Sequence, residues 1–195
     1  MKGIYAILDD SNYKFNNLDN IVLKMINKNI KIFQIRIKSS FTKSNIEIIK
    51  KVKKVCDIHN CILILNDNLE VARQLDLNGV HIGSNDTDII SARNFLGHKK
   101  IIGVSCYNDI NRSLSAERNN ASYVSFGSLF ETTTKQNAIN LNRNTFLKAK
   151  KLLNIPICLI GGINSQNIHD VIQLNSDLIA LSKGLSSDDK VNRIS

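Results

Sequence analysis

Eight short apolar, β-branched runs recur along this chain at about one per 23 residues, and that beat limits the fold more than any other feature. They occupy residues 4–8, 32–37, 62–65, 80–82, 101–105, 123–126, 157–160 and 178–181. Between them the apolar residues recur with helical spacing. Leu18, Ile21, Val22 and Met25 stand at i, i+3, i+4 and i+7, and Ile48, Ile49, Val52, Val55 and Cys56 form a second stripe. Alternating strands and helices imply parallel strands with right-handed crossovers. Eight such units predict a closed (β/α)8 TIM barrel, as a single domain over residues 1–195. The alternative is an open doubly wound sheet. That fold normally carries a glycine-rich turn after its first strand, where this chain has Asp9-Asp10-Ser11-Asn12. Closure also explains why no strand shows edge protection. Little chain follows the eighth run, so the last helix is expected to be shortened, missing or replaced by a partner.

Composition narrows the function classes. Hydrophobic content of 43% and a charged fraction of 22% are ordinary for a globular domain. No apolar run approaches the roughly 20 residues that span a bilayer. The opening MKGIYAILDD lacks the apolar core of a signal peptide, so a cytoplasmic location is expected. Cys56, Cys61, Cys106 and Cys158 show no CxxC pairing and are expected to be reduced, packed thiols. The net charge of +9 comes with 19 Lys against 7 Arg, densest at Lys43, Lys50, Lys51, Lys53 and Lys54 on one amphipathic segment. Trp is absent and no aromatic residues interleave the cluster. A solvated helix face is therefore expected, not a nucleic-acid surface. Oligomeric state is left open.

The polar residues at strand ends carry the chemistry. In Phe33-Gln-Ile-Arg-Ile-Lys38, period-two geometry puts Gln34, Arg36 and Lys38 on one face. A barrel strand is covered on both faces, so this row must find partners inside, and a polyanion is a natural one. Asp67 follows the third run beside Asn66, and Asp86 follows the fourth. Paired there, they suit a hard divalent cation, which usually brings a phosphate. Each also stands where a helix N-cap belongs, Asp67-x-x-Glu70 resembling a capping box, and spacing leaves both readings open. A further capping box is read at Ser44-x-x-Glu47, opening the second helix.

After the sixth run, Phe126-Gly-Ser-Leu-Phe-Glu-Thr-Thr-Thr-Lys135 places three hydroxyls and a cation where phosphate oxygens would lie, although polar surface loops often share that composition. After the seventh, Ile160-Gly-Gly-Ile-Asn164 lets backbone approach a ligand and is expected to expose N–H groups at a helix start. Ser182-Lys183-Gly184 follows the eighth run, where the fold's usual phosphate site is completed. Ser105 faces the same mouth. His81 lies within a strand and reads as a hydrogen-bonded packing residue; His59, His98 and His169 read as peripheral.

Taken together, QIRIK (34–38), LND (65–67), GVHIGSND (79–86), IGVS (102–105), YVSFG with FETTTK (123–135) and IGGI (160–163) resemble the thiamine phosphate synthase family. The resemblance covers all eight strands. It implies a transferase that couples hydroxymethylpyrimidine diphosphate to a thiazole phosphate and releases pyrophosphate by a Mg2+-assisted dissociative substitution. It implies that Gln34, Arg36, Lys38 and Asn66 hold the pyrimidine diphosphate and that Asp67 and Asp86 bind Mg2+. Ser105 would touch the same substrate and Lys135 the departing pyrophosphate. Thr132, Thr134, Gly161 and Gly162 would seat the thiazole phosphate, with Lys183 near it; Arg36, Lys38 and Lys135 are the implied catalytic residues. The chain departs from the family pattern at Ser128 and Glu131, where Pro is usual, at Asn68 in place of Arg, and at Lys183, where a one-residue shift would put Ser182. The rivals are a thiazole tautomerase on the same barrel and a non-catalytic phosphate-binding barrel. Retention of both Asp67 and Asp86, with Ser128 where the tautomerase has His, leans toward the synthase.

Overall fold

Every apolar run forms a strand, and the eight strands pair in sequence order, all parallel, until β8 returns to β1 and closes the barrel. The computed structural model describes residues 1–39, 41–83, 86–130 and 141–185. Strands β1 to β8 are Gly3–Asp9, Ile32–Arg36, Ile62–Asn66, Gly79–Ile82, Ile101–Tyr107, Tyr123–Phe126, Ile157–Ile160 and Leu178–Leu181. Helices α1 to α7 are Leu18–Ile26, Lys43–Ile58, Leu69–Gln74, Ile89–Leu96, Ile110–Arg118, Arg143–Leu152 and Ile168–Gln173. The barrel prediction holds in element order and number of strands. After β8 only a 3-10 turn, Lys183–Leu185, lies within the described residues. No helix among them is long and apolar enough to cross a membrane.

Strand periodicity divides the core into two layers. Outward residues such as Ala6, Leu8, Phe33, Ile35, Leu63 and Leu65 pack with the helix residues Leu18, Val22, Ile49 and Val52. Inward residues form a second cluster of Tyr5, Ile7, Ile32, Ile64, Tyr123, Cys158, Leu178 and Ala180. The inward rows of β1, β2, β3 and β8 are apolar where the strand begins and polar at or just past its end: Ile7 then Asp9, Ile32 then Gln34 and Arg36, Ile64 then Asn66, Ala180 then Ser182. The apolar layers plug the bottom of the barrel and leave a polar mouth at the C-terminal strand ends.

Gly103 of β5 makes room for the largest inward side chain. A Cβ there would lie 2.1 Å from Cζ and 2.3 Å from the hydroxyl oxygen of Tyr123, whose ring is fully buried. Gly103→Ala is expected to cost about 1–3 kcal/mol, as overpacked cores do. Chemical denaturation with an unchanged m-value checks it; a midpoint equal to wild type would mean the ring moves aside freely.

Helix starts correct part of the sequence reading. The N-cap of α2 is Thr42, not Ser44: its hydroxyl accepts from the Asn45 N–H, while Asn45 Oδ1 accepts from the Thr42 N–H. That reciprocal pair satisfies two otherwise unpartnered donors and leaves Glu47 to bond Lys50 at 2.7 Å. The lysines of α2 lie mostly on its exposed side, with Lys53 paired to Asp57 at 2.6 Å. All four cysteines are buried and free, and burial pushes the thiols of Cys56 and Cys106 up to about 12. They are inert at neutral pH.

Candidate active site at the barrel mouth

The carboxylate of Asp9, at the end of β1, organises the mouth. Its residue is 1% exposed. Oδ1 accepts from the Ser11 N–H at 3.0 Å and from the Ser11 hydroxyl, and Oδ2 accepts from Arg36 Nη1, with Lys38 Nζ at 3.9 Å. Burial alone would raise its pKa, but Ser11 and Arg36 outweigh that and hold it below the ordinary carboxylate range. Residues 9–12 carry no motif that marks Asp9; the signal is parity, since Asp9 continues the inward row of Tyr5 and Ile7, beside the cationic strand.

The row on β2 is therefore a graded set and not three equivalent partners. Gln34 is 2% exposed and donates through Nε2 to the Tyr5 hydroxyl at 2.6 Å. Arg36 is half-buried against Asp9. Lys38 lies beyond the strand with its side chain 41% exposed. Its backbone N–H donates to Asp10 Oδ2 at 3.1 Å, as does that of Ser39 at 3.2 Å, which holds the turn after β2 beside the loop after β1.

Asp67 and Asp86 are not helix caps. Asn68 caps α3, accepting from the Val71 N–H, and Asp88 caps α4, accepting from the N–H groups of Ile90 and Ser91. Asp67 instead sits in the left-handed region with φ of 64°, and its N–H donates to the His81 carbonyl at 2.9 Å. Its carboxylate accepts from Asn66 Nδ2, and that of Asp86 accepts from the Gly83 N–H at 2.5 Å. Both residues are exposed, and they follow neighbouring strands in which Asn66 is opposite His81. Arg112 of α5 ties the adjoining ends together: Nη2 donates to the Gly83 carbonyl at 2.9 Å and Nε to the Ser105 carbonyl at 2.7 Å. No cluster of three or more His, Cys, Asp or Glu suited to a metal occurs among the described residues. Two carboxylates with the Asn66 amide oxygen nearby still fit Mg2+, which takes one or two carboxylates and fills its remaining positions with water and substrate phosphate.

Below these groups a buried polar chain crosses the barrel. His81 bonds Tyr123 through Nδ1 and Ser105 through Nε2, each at 2.9 Å, and Tyr123 meets the Tyr5 hydroxyl at 2.9 Å. His81 is thus hydrogen-bonded inside the barrel, as its place within a strand predicted. Tyr5 and Tyr123 carry no local motif, and only their inward parity could have pointed to them.

Across the mouth, the start of the loop after β6 is stapled to the end of β7. Leu129 N–H donates to the Ile160 carbonyl at 2.9 Å and Phe130 N–H to that of Gly161 at 3.0 Å. Gly161 has φ of 107°, and a Cβ there would lie 2.1 Å from Ser128 Oγ, so the close approach and the backbone both require glycine. The expected helix start directly after Gly161 and Gly162 is absent: α7 begins at Ile168. Asn164 and Asn167 interpose a turn, and their side-chain amides both donate to the Gly162 carbonyl, at 3.2 and 3.0 Å. After β8, Ser182 continues the inward row; its hydroxyl accepts from Asn12 Nδ2 at 3.2 Å, and its carbonyl from the Tyr13 hydroxyl at 3.0 Å. Lys183 is exposed on the 3-10 turn. Thr132, Thr134 and Lys135 lie outside the described residues, as does Glu131.

Comparison with known proteins gives a consistent picture. A family model described as thiamine monophosphate synthase matches residues 4–185. The chain is 36% identical over 185 residues to the thiamine-phosphate synthase of Nitrosococcus oceani, covering 95% of this chain and 85% of that protein. It is also 36% identical over 188 residues to the Wolinella succinogenes protein of the same name, covering 96% and 86%. The solved thiamine phosphate pyrophosphorylase of Pyrococcus furiosus superposes with a TM-score of 0.86 at 26% identity, covering 98% of this chain and 91% of that one.

Proposed function

The chain belongs to the thiamine monophosphate synthase family and is a transferase, and we propose that it joins hydroxymethylpyrimidine diphosphate to a thiazole phosphate, releasing pyrophosphate. The observation that carries the reading is the mouth itself. Asp9 faces two cations, Arg36 at the end of β2 and Lys38 just beyond it, and two exposed carboxylates that cap no helix follow β3 and β4. A site that binds a diphosphate with a divalent ion needs both signs of charge in this order.

In this reading Gln34, Arg36, Lys38 and Asn66 hold the pyrimidine diphosphate, and Asp67 and Asp86 hold Mg2+. The ion, when bound, supplies positive charge that offsets the charge gathering on the leaving diphosphate. Arg36 contributes to the same end from a fixed position, because its pairing with Asp9 sets the guanidinium before substrate arrives. Lys38, more exposed, can swing onto the outer phosphate, and Lys135 is assigned to the departing pyrophosphate. As the C–O bond to the diphosphate breaks, a pyrimidine-methyl cation forms and the thiazole nitrogen takes it up. Keeping water from that cation leaves the thiazole nitrogen as its captor. Gly161 and Gly162, with Thr132, Thr134 and Lys183, are assigned to the thiazole phosphate.

The test is incubation of the purified chain with both substrates and Mg2+. Thiamine phosphate and pyrophosphate are expected in equal amounts, with neither formed when one substrate or the ion is withheld. Interconversion of thiazole phosphate isomers without pyrophosphate release would move the chain to the tautomerase reading. Binding of the phosphates without turnover would leave a phosphate-binding barrel.

A further inference from the structure

Hydrogen-bond arithmetic assigns a direction to the buried chain Gln34–Tyr5–Tyr123–His81–Ser105. Gln34 Nε2 can only donate, so the Tyr5 oxygen accepts from it. A phenol has one proton, and in the buried Tyr5 hydroxyl, whose other partner is the Gln34 donor, leaving that proton without an acceptor would be costly, so it goes to the Tyr123 oxygen. The proton of Tyr123 in turn goes to His81 Nδ1, which must be the unprotonated ring nitrogen. Its proton then sits on Nε2 and is donated to Ser105 Oγ. With its oxygen already accepting, Ser105 has its own proton to offer upward into the mouth. The opposite direction is self-consistent only if the Gln34 carbonyl faces Tyr5. His81 Nε2 would then accept, and Ser105 would spend its proton below.

Resting on the synthase reading, we propose that Gln34 acts through Tyr5, Tyr123 and His81 as a positioning relay that fixes Ser105 as a hydrogen-bond donor to an acceptor atom of the pyrimidine diphosphate substrate. Three features favour a relay over incidental packing. Tyr5 and Tyr123 are 1% and 0% exposed, so water does not compete for their hydroxyls. Burial pushes both phenols up, so they keep the protons on which the direction depends. The rings are also locked in place: Tyr5 packs edge-on to Tyr123 at 5.9 Å between centroids, and the His81 ring stacks on Tyr123 at 5.6 Å. Linked bonds of this kind polarise one another and reverse together, not singly. The consequence is specificity, since a site that presents a donor discriminates against a substrate analogue lacking the acceptor.

The experiment reads the His81 tautomer directly, by long-range proton–nitrogen correlation on the full chain labelled at histidine and assigned against His81→Gln. Wild type is expected to carry the proton on Nε2. In Gln34→Glu, measured at about pH 9 so that a buried carboxyl is ionised, the new side chain can only accept, and the proton is expected to move to Nδ1. Tyr5→Phe cuts the relay at a residue away from substrate, and kcat/KM for the pyrimidine diphosphate is expected to fall about tenfold. An Nδ1 proton in wild type, or an unmoved tautomer in a folded Gln34→Glu, would overturn the relay. Should Gln34→Glu not fold, an unchanged kcat/KM in Tyr5→Phe would do so. A wild-type chain with the expected tautomer that makes no thiamine phosphate would instead sink the substrate reading and leave the relay's direction standing.

Discussion

Asp67→Asn is expected to lower kcat/KM for Mg2+-dependent formation of thiamine phosphate by about 10²–10³-fold while leaving the fold intact. The substitution is nearly isosteric and removes the charge that the proposal gives to the ion. Two local facts make it a clean test. Asn68, not Asp67, caps α3, so the helix start is untouched. Asp67 also sits at φ of 64°, where Asn is as well tolerated as Asp and Ala would be strained. Thermal unfolding should therefore match wild type, and raising the Mg2+ concentration should recover part of the activity. A variant that loses activity only because it unfolds would count against the metal assignment, as would one that turns over normally.

Asp9→Asn is expected to destabilise the barrel by about 2–3 kcal/mol at neutral pH. The figure is smaller than for a fully enclosed pair because the Arg36 side chain is 23% exposed. For a chain of this size the melting temperature should fall by about 5–10 °C. The pH dependence gives the sharper signature. The folded-state pKa of Asp9 lies below its unfolded value, so the carboxylate contributes stability that is fully present above the unfolded pKa. That contribution is lost as pH falls through the depressed folded value, below about pH 4. Asn has no proton to gain. The gap between wild type and variant should thus close as pH drops from 7 into that window, as measured by thermal melts. A gap of constant size across the range would show that lost packing, not charge, explains the variant.

What could be read before any coordinates follows from local rules. Strand and helix periodicity gave all eight strands, several to the residue, because each apolar run is bounded by turn residues and buried on both faces. Strand parity puts Gln34 on the polar row, and a place within a strand marks His81 as a hydrogen-bonded packing residue. Local reading fails where a neighbour competes for a role. Ser44, Asp67 and Asp86 all look like helix caps in one dimension, but Thr42, Asn68 and Asp88 take those positions because their backbone enters the helix extended. Asp9 is hard to read for the opposite reason: its partners, Arg36 and Lys38, are distant in sequence, and nothing in residues 9–12 announces them.

The sequence by itself determined the architecture and the family, since alternating periodicities and ordered strand-end motifs are properties of the chain read along its length. Only the tertiary structure decided which charges meet. Closing the barrel brings Asp9 of the first strand against the second and threads one hydrogen-bonded chain through the first, second, fourth, fifth and sixth strands. Those are pairings between strands, set by register around the barrel, and no spacing along a single strand encodes them.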